Sequence, residues 1–265
     1  MLRQAAVAGS FYPEDPAVLT AVVEDFLAEA DGMASERPCK AIIAPHAGYI
    51  YSGEIAARVY AAIVPWAERI RRAVLLGPAH YVYFTGIAAP AATVFETPLG
   101  SVPVDREALG AIGGLPQVVM TDEPHAPEHS LEVQIPFLQV VLGAIEIVPL
   151  VVGRARPAEV AEVLEGLWGG GETLIVVSSD LSHYLDYETA RRRDAKTAAA
   201  IESLDVSRLG PEDACGYLPI AGLVQTARSR AMTVRQLDLR NSGDTAGPRD
   251  GVVGYGAWAF VEAGA

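Results

Sequence analysis

Cysteine is scarce in this chain. Only Cys39 and Cys215 occur in 265 residues, without the spacing of a disulfide scaffold, so reduced thiols and a cytoplasmic setting are expected. Long apolar runs are missing as well. None approaches the ~18 residues that would cross a bilayer, and the run Ala5 to Ala8 is too short for the core of a signal peptide. No membrane contact is expected. Positive charge is in deficit: 20 Lys and Arg against 33 Asp and Glu give a net charge of −13. The densest basic clusters, Arg69 with Arg71 and Arg72, then Arg191 to Arg193, read as solvated helix faces. That argues against nucleic acid as a partner. No Ser/Gly/Pro-rich linker divides the chain and no solenoid-length repeat is present, so residues 1–265 read as a single domain.

What the chain has in plenty is apolar side chain, 51% of residues, enough to bury a substantial core. Three short apolar runs are each followed by a histidine. Ala41 to Ala44 leads to Pro45-His46, and Ala73 to Leu76 leads to Gly77-Pro78-Ala79-His80. Leu174 to Val177 leads to Ser178-Ser179-Asp180-Leu181-Ser182-His183. Such runs have the composition of buried strands. In open α/β sheets ligands bind beyond the carboxyl ends of the strands, so three histidines placed there can meet on one rim.

The remaining pattern supplies the layers. Asp15-Pro16 reads as an N-cap and first turn, with Leu19, Val22, Val23, Phe26 and Leu27 on one helical face. Further helices are expected over 54–63, 131–142, from Pro157, over 186–204 and over most of 211–228. Strands are expected at 86–89, 147–152, 233–239 and 252–261, with a hairpin or edge strands in 95–104. This order predicts an α/β fold, a layered domain with a central mixed β-sheet flanked by helices.

Imidazole and thiolate are strong transition-metal ligands, so His46, His80 and Cys215 form a candidate set. Three protein ligands leave a coordination position open, as in catalytic sites. No short His-x-x-x-His spacing ties them together, and each histidine reads equally as a hydrogen-bonding loop residue. Cys215 reads equally as a small buried side chain. Asp180, three residues before His183, can orient that imidazole as a general acid/base, or can cap a helix. Ser178 or Ser179 with His183 has the residue types of a nucleophilic triad, but no Gly-x-Ser-x-Gly elbow surrounds either serine. Tyr49 and Tyr51, beside His46, are candidate cleft residues. So are Glu128 and His129, in a polar stretch 121–130 unusually dense in titratable groups.

Six segments in this order resemble the Memo family nearly end to end. They are Ala8-Gly9-Ser10-Phe11-Tyr12-Pro13, Pro45-His46-Ala47-Gly48-Tyr49, Gly77-Pro78-Ala79-His80, Glu128-His129-Ser130-Leu131-Glu132, Ser178-Ser179-Asp180-Leu181-Ser182-His183 and Cys215-Gly216. The resemblance implies a fold similar to the class III extradiol dioxygenases. Those are non-heme iron enzymes with two histidines and a carboxylate on iron and another histidine for acid/base work. It implies metal-site positions at His46, His80 and Cys215, with Asp180 and His183 nearby. A thiolate in place of the carboxylate departs from the dioxygenases and alters geometry and redox behaviour.

The expectation that follows is an iron-dependent oxidoreductase with dioxygenase-like chemistry on an unknown small molecule, with copper or zinc as alternative metals. Two rivals stand beside it: a metal-assisted hydrolase using a zinc-bound water, and a non-catalytic module holding a peptide or partner in the same cleft. Animal relatives are associated with copper or iron redox chemistry and with phosphotyrosine segments of a receptor kinase. No arginine cluster sits in the histidine loops to receive such a segment. Prokaryotic relatives travel with radical-SAM and AMMECR-type proteins, which are the partners the resemblance implies.

Overall fold

Pro45 and Pro78 each close a buried apolar run, and the two runs become strands of one sheet with a single strand between them. The protein is described by a computed structural model over residues 1–263. The chain runs β1 (Leu2–Arg3), α1 (Pro16–Glu29), β2 (Cys39–Ala44), α2 (Tyr49–Ile63), β3 (Arg72–Pro78) and β4 (Ile87–Ala89). It continues with β5 (Val94–Thr97), β6 (Gly100–Pro103), α3 (Arg106–Ile112), β7 (Val118–Met120), α4 (Ile135–Leu142) and β8 (Glu146–Val152). The last third holds α5 (Pro157–Leu167), β9 (Thr173–Ser178), β10 (His183–Leu185), α6 (Tyr187–Glu202), α7 (Tyr217–Ser229), β11 (Thr233–Asn241) and β12 (Val252–Val261).

Nine strands form the main sheet in the order β10-β12-β2-β9-β3-β8-β4-β7, with β11 also paired to β12. Strands β2, β9, β3 and β8 are mutually parallel; β12 and β4 run antiparallel to their neighbours β2 and β8. The sheet is therefore mixed, and the expected layered α/β architecture is present. Strands β2 and β9 are buried at every position, as parallel strands covered on both faces must be. Helices α1, α2 and α4 pack together, with α2 on β2 and β12; α5 packs on α3 and α7, with α7 on β3 and β9. A separate three-stranded sheet, β1-β5-β6, contains the expected hairpin and recruits the N-terminus in parallel.

Three boundaries differ from the sequence reading. Helix α2 begins at Tyr49, not Glu54, because Gly48 turns the chain straight from the His46 loop into the helix. The 131–142 segment starts as a 3-10 turn over Glu132–Gln134 before α4, whose second position is Pro136. Helix α7 begins after Cys215-Gly216, so the cysteine lies in the turn ahead of it. Among the described residues no helix is long and apolar enough to cross a membrane.

Candidate metal centre

The parallel order β2-β9-β3 puts the carboxyl ends of three strands side by side. His46 follows β2 by two residues, Asp180 follows β9 by two, and His80 follows β3 by two. Cys215 arrives from the turn before α7. Its N–H donates to the Asp180 carbonyl (3.2 Å), and the Gly216 N–H donates to Ser179 Oγ (2.9 Å). A Cβ at 216 would lie 2.7 Å from the Ser179 Cβ, so glycine permits this approach. The ligand atoms of His46, His80 and Cys215 all come within 4.8 Å of one another. Cys215 Sγ lies 3.3 Å from His46 Nε2.

Hydrogen-bond accounting fixes which nitrogen each imidazole presents. Ser178 Oγ donates its one proton to the Ser130 carbonyl (2.6 Å) and accepts from Gln134 Nε2 (2.8 Å). Toward His46 Nδ1, 3.0 Å away, it can only accept, so Nδ1 carries the proton and Nε2 faces the thiol with its lone pair free. His80 Nδ1 lies 2.8 Å from Glu128 Oε1, and His183 Nδ1 lies 2.8 Å from the Leu181 carbonyl. Both are therefore also protonated on Nδ1.

Burial sets the charge states. It pushes the His46 imidazole well below its usual range, with His80 acting the same way. His129 is lowered to about 4 by burial and by His46 and His80. Burial and the nearby Asp180 raise the Cys215 thiol. Asp180 is raised by burial, against the His46 N–H bond at 2.7 Å and the surrounding imidazoles, which lower it. For Glu128, burial pulls upward, but bonds and charge from His80 and the backbone N–H of Ser130 win and lower it to about 2. The centre is a cluster of imidazoles, with His46 and His129 held neutral by burial and two buried carboxyls beside them.

A cavity of about 540 Å³ opens onto it, lined by His46, His80, His129, Asp180 and His183 and walled by Phe11, Tyr51, Tyr184 and Tyr255. None of its lining residues is Lys or Arg. His129 stacks on His80 (4.6 Å between centroids) and meets Phe11 (4.7 Å). Tyr184, beside His183, is exposed and has φ 57, a left-handed conformation unusual for tyrosine.

The family of Memo-like proteins matches residues 3–259. The chain belongs to the Memo family. Similar proteins described as MEMO1 family proteins occur in Methanosarcina acetivorans (38% identical, 97% of this chain and 98% of that one) and Aquifex aeolicus (36%, 98% and 99%). Another, from Archaeoglobus fulgidus, is 35% identical over 98% of this chain and 99% of its own. An uncharacterized Escherichia coli K12 protein, JW3007, shares the fold with TM-score 0.55 at 14% identity, over 83% of this chain and 98% of its own.

Within this Memo-family chain, the histidines expected on one rim, His46, His80 and His183, do share one cavity. Two cleft expectations are corrected. Tyr49 is buried under α2, with its hydroxyl donating to the Val133 carbonyl (2.8 Å) and its ring against Phe137, because the helix starting there turns it inward. Glu128 sits behind His80, buried, and is not among the cleft-lining residues. Tyr51 and His129 do line the cleft. The partner of His183 Nδ1 is the Leu181 carbonyl, not Asp180, whose Oδ1 takes the His46 N–H. Ser178 is committed to His46 and Ser179 Oγ to the Asp180 carbonyl, so the nucleophilic-triad alternative has no geometry.

Gln134, Glu132 and Arg3, to which the sequence assigns no role, brace the centre from behind. Gln134 links Ser178 Oγ, the Pro45 carbonyl and the Tyr60 hydroxyl. Glu132, fully buried, pairs with Arg3 and accepts from Ala6 N–H, Val7 N–H and the Tyr12 hydroxyl. Arg3 also donates to the carbonyls of His125 and Glu128. In the sequence, Glu132 and Gln134 stand out as polar residues inside an otherwise apolar segment, 131–142, and Glu132 also closes one of the six family segments; Arg3 carries no such signal.

Proposed function

We propose that the protein holds one transition-metal ion through His46 Nε2, His80 Nε2 and Cys215 Sγ, and that the ion is iron serving redox, dioxygenase-like chemistry on a small molecule in the cleft. One observation supports this above the rest: three soft-to-borderline donors from segments far apart in sequence lie within 4.8 Å, with both ligating imidazoles hydrogen-bonded at Nδ1 and so turned to offer Nε2. Two nitrogens and a sulfur suit iron, copper or zinc and do not suit magnesium or calcium. When bound, such an ion supplies Lewis acidity and a redox partner at its open position.

The chain's own residues supply the rest. His183, with Nδ1 donating to Leu181, offers Nε2 as proton acceptor on the cleft wall. Asp180 keeps one oxygen on the His46 N–H and holds the other 4.0 Å from His46 Nε2. Phe11, Tyr51 and Tyr184 present aromatic faces to the cleft that suit a flat or apolar ligand. With no Lys or Arg lining the cleft, an uncharged ligand is favoured over a phosphate-bearing peptide.

The donor set equally fits zinc, and that favours a second reading, hydrolysis with His183 as the base. Elemental analysis of protein purified without added metal tests both. About one iron per chain, lost in Cys215→Ala, is expected; zinc selects the hydrolase. A metal-free protein that still binds a partner through the cleft selects the binding module.

A further inference from the structure

Among the described residues two groups have ligand atoms close enough to hold a cation: His46 with His80 and Cys215, and His80 with Glu128 and His129. His80 belongs to both, which poses a question of roles. The Glu128 carboxylate is buried and fully engaged. Its Oε2 accepts the His80 backbone N–H (2.7 Å), while Oε1 accepts His80 Nδ1–H (2.8 Å) and the Ser130 N–H (2.9 Å). A cation at Glu128 would displace these donors and leave buried N–H groups unpaired, at about 1–3 kcal/mol each. The second group is therefore a hydrogen-bonded assembly, not a second cation site.

We infer that Glu128 is a positioning residue: its carboxylate grips His80 at two points, holds the proton on Nδ1, and so leaves Nε2 as the one nitrogen offered to the position shared with His46 and Cys215. The orientation stands on the hydrogen bonds alone; its consequence for a cation rests on the metal reading above. A carboxylate accepts and never donates when ionised, so Nδ1 opposite it must be the donor. Gripping both the main chain and the ring of one residue fixes the backbone at the end of β3 and the side-chain torsion together. Ser130 completes the brace, because its Oγ donates to the Pro78 carbonyl (3.1 Å) at the last residue of the same strand. The turn bearing Glu128 is in that way fastened to the strand end that bears His80. Carboxylate partners of this kind raise the basicity of a ligating histidine, and their loss weakens metal binding by about 10–100-fold.

Long-range proton–nitrogen NMR on metal-free, nitrogen-15-labelled protein reads the tautomer directly, with His80 signals assigned by their loss in His80→Gln. Wild-type His80 is expected to carry its proton on Nδ1. Glu128→Gln places an amide that both donates and accepts, and is expected to move His80 toward the Nε2–H form and to weaken Co²⁺ binding about 10–100-fold. A wild-type His80 protonated on Nε2 overturns the inference without any variant, so a Glu128→Gln protein that fails to fold does not shield it. Unchanged Co²⁺ affinity in a folded Glu128→Gln overturns it too, as does a second Co²⁺ per chain that this variant loses. If wild-type protein takes up no Co²⁺ while His80 shows the Nδ1–H pattern, the metal reading fails and the orientation by Glu128 is upheld.

Discussion

Cys215 Sγ and His46 Nε2 lie 3.3 Å apart although 169 residues separate them in the chain. The thiol is the one ligand delivered by a helix-leading turn, not by a strand end, and it docks on β9 through Asp180 and Ser179. Cys215→Ser keeps the shape and removes the sulfur. We expect metal affinity to fall by more than about 100-fold, beyond the range for losing an orienting partner, with the melting temperature of the metal-free protein nearly unchanged. Competition titration with a chromophoric chelator, alongside calorimetry of the apo protein, checks both halves.

Gly77 is buttressed from the side by the site's own brace. A Cβ there would meet Ser130 Oγ at 2.6 Å and Leu131 Cδ2 at 2.9 Å. Gly77→Ala should therefore cost about 1–3 kcal/mol of stability and also displace the Ser130 carbonyl that accepts from Ser178. Urea unfolding and metal titration of the same preparation should move together. A stability loss with unchanged metal affinity would show that Ser130 does not support His46.

The Arg3–Glu132 pair is buried on both sides. Removing one partner strands the other charge, so Arg3→Met is expected to cost about 3–5 kcal/mol. The double variant Arg3→Met with Glu132→Gln should recover part of that loss. Chemical denaturation of the two single variants and the double variant measures the coupling.

His125 is buried with Nε2 on the Ala88 carbonyl (3.0 Å), and burial lowers it to about 4. Its folded value lies below the unfolded one, so the stability it contributes is present above about pH 6.5 and is lost as pH falls through about 4. The full span is about 3 kcal/mol. His125→Gln should flatten the stability profile between pH 6.5 and 4, as read by urea unfolding at a series of pH values.

Asp194 works in the opposite sense. Burial raises it to about 6, against the bond it accepts from the Ser182 N–H (3.1 Å). A raised carboxyl contributes stability below its unfolded value, near 4, that is lost as pH rises through about 6. Asp194→Asn retains an acceptor for Ser182 and should be more stable than wild type above pH 6 by up to about 2–3 kcal/mol. The gain should vanish near pH 4. A constant difference across that range would show that Asp194 does not titrate.

The strand-then-histidine pattern carried far in this chain because it is local: four apolar residues and the imidazole after them fit within ten positions. Once β2, β9 and β3 became neighbours, His46, Asp180 and His80 met as strand ends in parallel sheets do. What the residues alone did not disclose was the division of labour. Glu128 looked like a cleft residue because titratable density marks a site without saying which side of it a group occupies. Tyr49 has the same look in sequence because nothing there marks the start of α2 five residues ahead of Glu54. The Leu181 carbonyl at His183, Gln134 behind Ser178 and the Glu132 hub are contacts between distant segments, and no spacing rule encodes those.

Arg3 reaches past the small sheet to the carbonyl of Glu128, the residue that seats His80, and Phe11 leans on His129. The opening dozen residues are thus masonry of the centre. Loosening that wall should therefore weaken metal binding although every ligand is intact.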